Sequence, residues 1–250
     1  MPSINVEQKN ISQRKKLQNS HLFLKGSRVA LPIAIGYFPI AVTFGMIAVQ
    51  SGLSLWHSTF MSIAVFAGAS QFMAASMVMV NATVIEIIVA TFVLNFRHFI
   101  MSMSFINKLN HIPIKWKALL SFGITDETFS VFSLQGKEKD ATNHFFILGI
   151  FATAYVSWIA GTLVGGLFSS IFPPVISQGM SVGLYAMFIA LVVPVARKSR
   201  LVLCIVVISM VICTFASMIV SSGWAIVIAT LISSLIGVFF KERESIQQNS

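Results

Sequence analysis

The sequence predicts an all-α, polytopic membrane helix bundle of about six to eight membrane segments, two of them broken or re-entrant. Three observations predict it. The chain is 56% hydrophobic and 10% charged, with a mean hydropathy of +0.85, whereas a soluble chain carries about 25% charged residues. Its apolar residues gather into eight runs, most of them near the twenty or so residues that cross about 30 Å of hydrocarbon as a helix. The net charge of +9 sits almost entirely between those runs, in the pattern of cytoplasmic loops.

Residues 1–28 are polar and basic, with Lys9, Arg14, Lys15, Lys16, Lys25 and Arg28 opposed by Glu7. They read as a cytosolic arm with some amphipathic helix near the membrane. A transmembrane domain is expected over residues 29–240 and a polar tail over residues 241–250. The first run, residues 29–50, is too long for the apolar region of a cleaved leader and has no clear small-residue cleavage site after it. Pro32, Gly36, Pro39 and Gly45 interrupt it. Prolines in a span free backbone carbonyls and mark kinks or unwound turns, so Pro39 is a candidate for exposing backbone to a cavity.

Residues 58–80 carry Phe66-Ala67-Gly68-Ala69-Ser70-Gln71-Phe72 at their centre. Small residues let helix backbones approach, and the Gln71 amide needs a partner at that depth, either a neighbouring helix or a bound solute. Residues 84–105 contain Asn95-Phe96-Arg97-His98. A guanidinium at bilayer depth costs about 2.5–3.5 kcal/mol on insertion scales, so Arg97 must face a cavity or a counter-charge. Asn95, His98 and Ser102 share a face at the spacing i, i+3, i+7. Glu86 lies about 16 Å from Arg97 along a helix and cannot pair with it; it is expected near the interface, and Arg97 needs a partner from another segment.

Residues 118–134 are short for a span, with Gly123-Ile124-Thr125-Asp126-Glu127-Thr128 at their centre. Of the 17 basic and 8 acidic side chains, only Glu86, Arg97, Asp126 and Glu127 fall within apolar runs. That concentration marks the candidate site. Residues 145–167, 175–195, 201–220 and 224–240 hold almost no ionisable group and read as scaffold. Cys204 and Cys213, nine positions apart, lie on opposite sides of one helix and read as small apolar fillers.

If all eight runs crossed, a cytoplasmic N-terminus would leave Lys108, Lys115 and Lys117 outside. Making residues 58–80 and 118–134 re-entrant or broken leaves six full crossings and returns every basic connection to one side. These are also the runs with polar centres, which predicts two discontinuous helices building a midplane site, as in many secondary transporters. A short echo between residues 60–67 and 179–186 fits an internal repeat.

Other classes lack their signatures. No basic stripe interleaved with aromatics lies outside the apolar runs, against nucleic acid, and no Gly-x-x-x-x-Gly-Lys-Ser/Thr loop is present to hold ATP. Nor is there a Gly-x-Ser-x-Gly elbow or a His-Glu-x-x-His zinc motif, so an intramembrane enzyme is not the reading. No cofactor or metal is implied.

Gly36-Tyr37-Phe38-Pro39 with Phe44-Gly45, then Phe66 through Phe72, then Asn95-Phe96-Arg97-His98, then Thr125-Asp126-Glu127 resemble, in that order, the signature of the AzlC family. These are large subunits of two-component branched-chain amino-acid exporters whose small membrane partner belongs to the AzlD family. The likeness covers residues 28–127 and continues more loosely to residue 240. It implies a multi-pass protein of the bacterial cytoplasmic membrane, N-terminus inside, exporting branched-chain and related apolar amino acids at the expense of the proton-motive force. For such a zwitterion, Arg97 is the candidate for the carboxylate and Asp126 or Glu127 for the ammonium. Asn95 and Gln71 would add hydrogen bonds, and Pro39 or Gly68 would expose backbone. Asp126 with Glu127, or the His98 imidazole, would carry the coupled proton. The alternative readings are a channel for small amphipathic solutes and a membrane scaffold subunit.

Overall fold

A computed structural model describes residues 2–109, 112–135, 140, 142–171 and 199–248, with isolated positions between 172 and 198; for residues 2–12, 222 and 241–248 it describes the backbone alone. The expected segment 175–195, and with it the second half of the echo, lies outside the described residues apart from those isolated positions.

The described residues fold into helices. α1 (Pro2–Val29) and α2 (Leu31–Gln50) are joined at Ala30, and the helical hydrogen bonds Ala30 N to Gly26 O (3.1 Å) and Ala34 N to Ala30 O (2.9 Å) run across the joint. This pair lies in parallel along α8 (His144–Leu167), and glycine sets the closeness of the fit. A Cβ on Gly165 would stand 1.9 Å from the Val42 carbonyl oxygen, and one on Gly45 2.2 Å from that of Thr162. On α1, a Cβ on Gly26 would stand 2.0 Å from the Phe146 oxygen. Small-residue contact of this kind is how helices associate where apolar burial alone gives no preference.

Of the two outcomes that Pro39 left open, a kink or an unwound turn, α2 does not unwind. The helix passes through it, Thr43 Oγ1 donates to the Pro39 carbonyl at 2.9 Å, and Ser157 Oγ of α8 donates to the Ala34 carbonyl at 2.7 Å. A proline removes one ladder donor, and the backbone contact with α8 holds the turn.

Two other runs do break. Residues 58–80 fall within α3 (Leu55–Ala64) and α4 (Gly68–Met79), and residues 118–134 within α6 (Ile114–Ser121) and α7 (Asp126–Leu134), with α5 (Val84–Lys108) between the two breaks. Each half is about 12–18 Å long at about 1.5 Å per residue, roughly half of the hydrocarbon thickness. α3 starts beside the end of α8, where Leu55 abuts Gly166, and stops near its middle, where Tyr155 Oη donates to the Ile63 carbonyl at 2.7 Å. α4 starts there, with Gly68 against Trp158, and returns to the same end, with Met77 against Gly223.

α6 enters from the opposite end. The Trp116 ring lies 4.6 Å from that of His144 at the start of α8, and Phe122 reaches the middle, 5.8 Å from Tyr155. α7 returns, its Phe132 ring 4.9 Å from Phe105 near the end of α5. The two hairpins thus enter from opposite ends and meet tip to tip. Behind them, α9 (Arg200–Ala216) pairs with α10 (Ser222–Gln248), and α10 also packs on α5. α9 buries none of its side chains and Cys204 is exposed, so that cysteine is not the core filler that its apolar surroundings suggested.

The charges divide between the same two ends. One end carries the basic part of α1, Lys108, Lys115, Lys117, Arg200 at the start of α9 and Lys241 towards the end of α10. At the other, residues 51–54, 80–83, 168–171 and 217–221 contain no lysine or arginine. Glu86 sits there, in the first turn of α5, in a capping box with Thr83 and accepts from Ser221.

Candidate functional site

Arg97, near the middle of α5, meets Asp126, the first residue of α7, with Nη1 2.8 Å from Oδ2. This is the partner from another segment that the guanidinium required. A carboxylate in the first turn also faces the positive end of its own helix. Both side chains keep more than a quarter of their surface exposed, so the pair is sheltered but reachable.

The tip that carries Asp126 is built by its own threonines. Thr128 N donates to Thr125 Oγ1 at 3.2 Å, Thr125 N donates to Thr128 Oγ1 at 2.8 Å, and Thr128 Oγ1 donates onward to the Gly123 carbonyl at 2.9 Å. Reciprocal capping fixes where α7 begins. Tyr37 of α2 then ties the tip to the bundle: its hydroxyl lies 2.7 Å from Thr125 Oγ1 and donates to Glu127 Oε2. The other carboxylate oxygen, Glu127 Oε1, is buried with no hydrogen-bond partner among the described residues.

The opposing tip is uncharged. α4 starts at Gly68 with no side-chain cap from Ala67, and a Cβ on Gly68 would stand 2.5 Å from the Trp158 ring. Trp158 Nε1 donates to Gln71 Oε1 at 2.7 Å, Gln71 Nε2 donates to Ser62 Oγ at 3.0 Å, and Ser62 Oγ lies 2.8 Å from Thr162 Oγ1. Gln71 is completely buried. Its amide satisfies the indole and the serine, which locks α3, α4 and α8 together.

Between the tips lies a cavity of about 350 Å³, counting its mouth. Tyr37, Arg97, His98, Thr125, Asp126 and Glu127 form its polar wall, and Phe66, Ala67, Gly68, Ala69 and Trp158 its apolar one. The clear space at its centre holds little more than one water molecule. Among the described residues, no three His, Cys, Asp or Glu side chains converge to hold a metal ion.

Of the residues singled out in the sequence, the structure brings Arg97, His98, Asp126, Glu127 and Gly68 together around this cavity. Gln71 stands behind the uncharged tip, Pro39 lies within the continuous α2, and Asn95, although on the same helix as Arg97, does not line the space. Tyr37, Thr125, Phe66 and Trp158 line the cavity without having been singled out. The signal that could have found Tyr37 is its hydroxyl: only three tyrosines occur in the chain, and a phenol in an apolar helix needs a partner.

Comparison with known proteins places this arrangement. A curated relative in Helicobacter pylori, an uncharacterized membrane protein, is 32% identical over 176 residues, covering 68% of this chain and 76% of its own length. The inner membrane protein YgaZ of Escherichia coli is 30% identical over 153 residues, covering 60% and 62% respectively. The branched-chain amino acid transport protein AzlC of Bacillus subtilis is 24% identical over 191 residues, covering 76% and 74%. No solved structure gives a significant match. The model of the family described as AzlC protein matches residues 32–172, a stretch that contains both hairpins and every residue around the cavity, and the chain is therefore a multi-pass membrane protein of the AzlC family.

Proposed function

We propose that this chain is a secondary transporter that exports branched-chain and related apolar amino acids across the cytoplasmic membrane, coupled to protons and working with a small AzlD-type membrane subunit. The observation that carries the reading is the meeting of two half-length hairpins, entering from opposite ends, at a cavity holding Arg97, Asp126 and Glu127. Half-helices that end at a midplane site are the device by which many secondary transporters bind a solute while the bundle rocks around it.

A zwitterion carries one charge for each member of the Arg97–Asp126 pair. On entry, its carboxylate takes the guanidinium in a two-pronged contact, and its ammonium takes the Asp126 carboxylate. The side chain lies against Phe66, Ala67 and Trp158, whose apolar surface suits a branched aliphatic group. One carboxylate, Glu127, then remains in excess, with Tyr37 on one oxygen and no partner on the other. A proton on Oε1 balances that charge, which makes Glu127 the coupling group and Tyr37 its positioning residue. The cavity as it stands is too narrow for an amino acid, so loading requires the tips to part.

The division of charge between the ends supports a cytoplasmic basic end and hence a cytoplasmic α1. The B. subtilis relative's name supports the substrate class. The test is radiolabelled leucine counterflow in proteoliposomes holding this chain with its small subunit, with and without an imposed pH gradient. Saturable counterflow that responds to the gradient and is lost in Arg97→Ala is expected. Non-saturating flux indifferent to the gradient would replace this reading with a channel.

A further inference from the structure

A second concavity lies outside the transport pathway, between α1 and the start of α8. It encloses about 910 Å³, counting its open side. Its upper part is polar, with Lys16, Asn19 and Ser20, and its lower part apolar, with Leu24, Phe145 and Leu148. The register explains the division. Gly26 of α1 abuts Phe146 and Ile150 of α8, and Lys16, ten residues earlier, lies about 15 Å further along the α1 axis, beyond the first turn of α8. The groove therefore runs from apolar helix surface into the basic end of the bundle, across the level at which the Trp116 ring meets those of His144 and Phe145. Aromatic rings at that level mark the headgroup region.

Among the described residues that line the groove, the one charge is that of Lys16. Lys25 Nζ is held by Asp140 Oδ2 at 2.8 Å, which neutralises both. Lys16 is exposed, lines the groove, and follows Arg14 and Lys15 directly. The positive end of α8 opens in the same direction. A ligand fitting these walls carries a negative headgroup on an apolar tail. We propose that the groove binds an anionic phospholipid of the leaflet at the basic end, its phosphate held by Lys16 with Asn19 and Ser20, its acyl chains laid over Leu24, Phe145 and Leu148. Basic pockets between helices at a membrane surface recognise phospholipid headgroups by this combination. The site would pin α1 to α8, and with it the joint at Ala30 that leads into α2.

The test uses the full chain, purified in detergent and returned to phosphatidylcholine nanodiscs doped with phosphatidylglycerol, with retained lipid counted by native mass spectrometry. Wild type should keep phosphatidylglycerol in preference to phosphatidylcholine. Lys16→Glu should weaken that retention about tenfold or more, as charge reversal at a headgroup contact implies. Lys15→Glu makes the same charge change one residue away on a side chain that does not line the groove and should stay within about twofold of wild type. Leu148→Trp, which leaves every basic residue in place and fills the apolar floor, should also reduce retention. Equal losses in Lys15→Glu and Lys16→Glu would overturn the proposal in favour of diffuse attraction to a charged surface. Displacement of the lipid by inorganic phosphate alone would overturn it in favour of a simple anion site, and absence of any preference in wild type would overturn it outright. Size-exclusion profiles of the variants separate loss of lipid from loss of fold.

Discussion

The two hairpins have the same plan and opposite chemistry. At the α6–α7 tip, Asp126 and Glu127 stand at the start of a half-helix whose position is fixed by Thr125 and Thr128, and each carboxylate has a partner on a different long helix, Arg97 on α5 and Tyr37 on α2. The α3–α4 tip carries no charge. It presents Phe66, Ala67 and Gly68 and is fixed from behind by the Gln71–Trp158–Ser62–Thr162 network. One tip is held by bonds that a charged ligand could exchange, the other by bonds that no ligand reaches. Under the proposed transport reading, the difference would give the recognition of charge to one hairpin and of shape to the other.

The largest effect should come from breaking the charged side. Arg97→Ala and Asp126→Asn each remove one side of a sheltered ion pair, a loss that costs about 3–5 kcal/mol when burial is complete and less here, because both groups remain more than a quarter exposed. Each is expected to lower leucine transport about 100-fold or more, as the loss of a charge-assisted contact to substrate implies, with the protein still in the membrane fraction. The exchanged pair Arg97→Asp with Asp126→Arg sharpens the comparison. If the pair only held helices together, transport would return; if it orients a zwitterion, transport stays lost although the ion pair is restored and the protein remains in the membrane fraction.

Much of this plan was legible from unfavourable residues. A charge inside an apolar run has to be explained, and of the four such charges the structure places Arg97, Asp126 and Glu127 at the cavity and Glu86 in a capping box at the start of α5. The polar centres of residues 58–80 and 118–134 and the misplacement of Lys108, Lys115 and Lys117 under strict alternation marked both breaks. What escaped were the residues whose cost is hidden. Tyr37 entered only as a member of a family motif and Trp158 was not singled out, because an aromatic ring fits a membrane helix and only its polar tip needs a partner. Pro39 was overread: a missing donor does not open a helix whose neighbouring backbone is pressed against glycines. Gln71 was ambiguous for a physical reason, since a buried amide satisfies itself equally well on a substrate or on a neighbouring helix, and the sequence does not place Trp158 beside it.

On the uncharged side the largest loss should be steric. Gly68→Val sets a branched side chain where even a Cβ would lie 2.5 Å from the Trp158 ring, and the indole cannot swing away without giving up Gln71. Overpacking costs about 1–3 kcal/mol, so transport should fall about tenfold and the maximal rate for isoleucine more than that for alanine. Equal loss for both amino acids would show that this wall does not read shape.

Smaller effects should separate positioning from support. Tyr37→Phe removes the hydroxyl shared by Thr125 and Glu127, at a cost of about 1–3 kcal/mol, and should change the pH dependence of transport while lowering its rate by about tenfold or less. Gln71→Leu strands the Trp158 indole N–H and should cost a comparable stability, read as a lower thermal midpoint, with the pH dependence unchanged. The reverse pattern would move the proton-handling role to the uncharged hairpin.

The smallest expected effect on transport comes with a decisive readout of the fold. Ser51 and Val80 flank the α3–α4 hairpin; Asn107, in the last turn of α5, precedes α6–α7, and Ser133 lies in the last turn of α7. Each can be made cysteine in a Cys204→Ala, Cys213→Ala background, which should itself be silent because α9 buries none of its side chains. If each hairpin turns back at its tip, a membrane-impermeant thiol reagent should reach Ser51→Cys and Val80→Cys from one side, and Asn107→Cys and Ser133→Cys from the other. A hairpin that crossed would split its own pair between the two sides. Each hairpin's halves total about 26–33 Å at about 1.5 Å per residue, enough in sum to span the hydrocarbon if aligned end to end. Length alone therefore does not choose between turning and crossing. The contacts do: Met77 against Gly223 brings the far end of α4 back to the end at which Leu55 abuts Gly166, and Phe132 against Phe105 brings the far end of α7 back to the basic end.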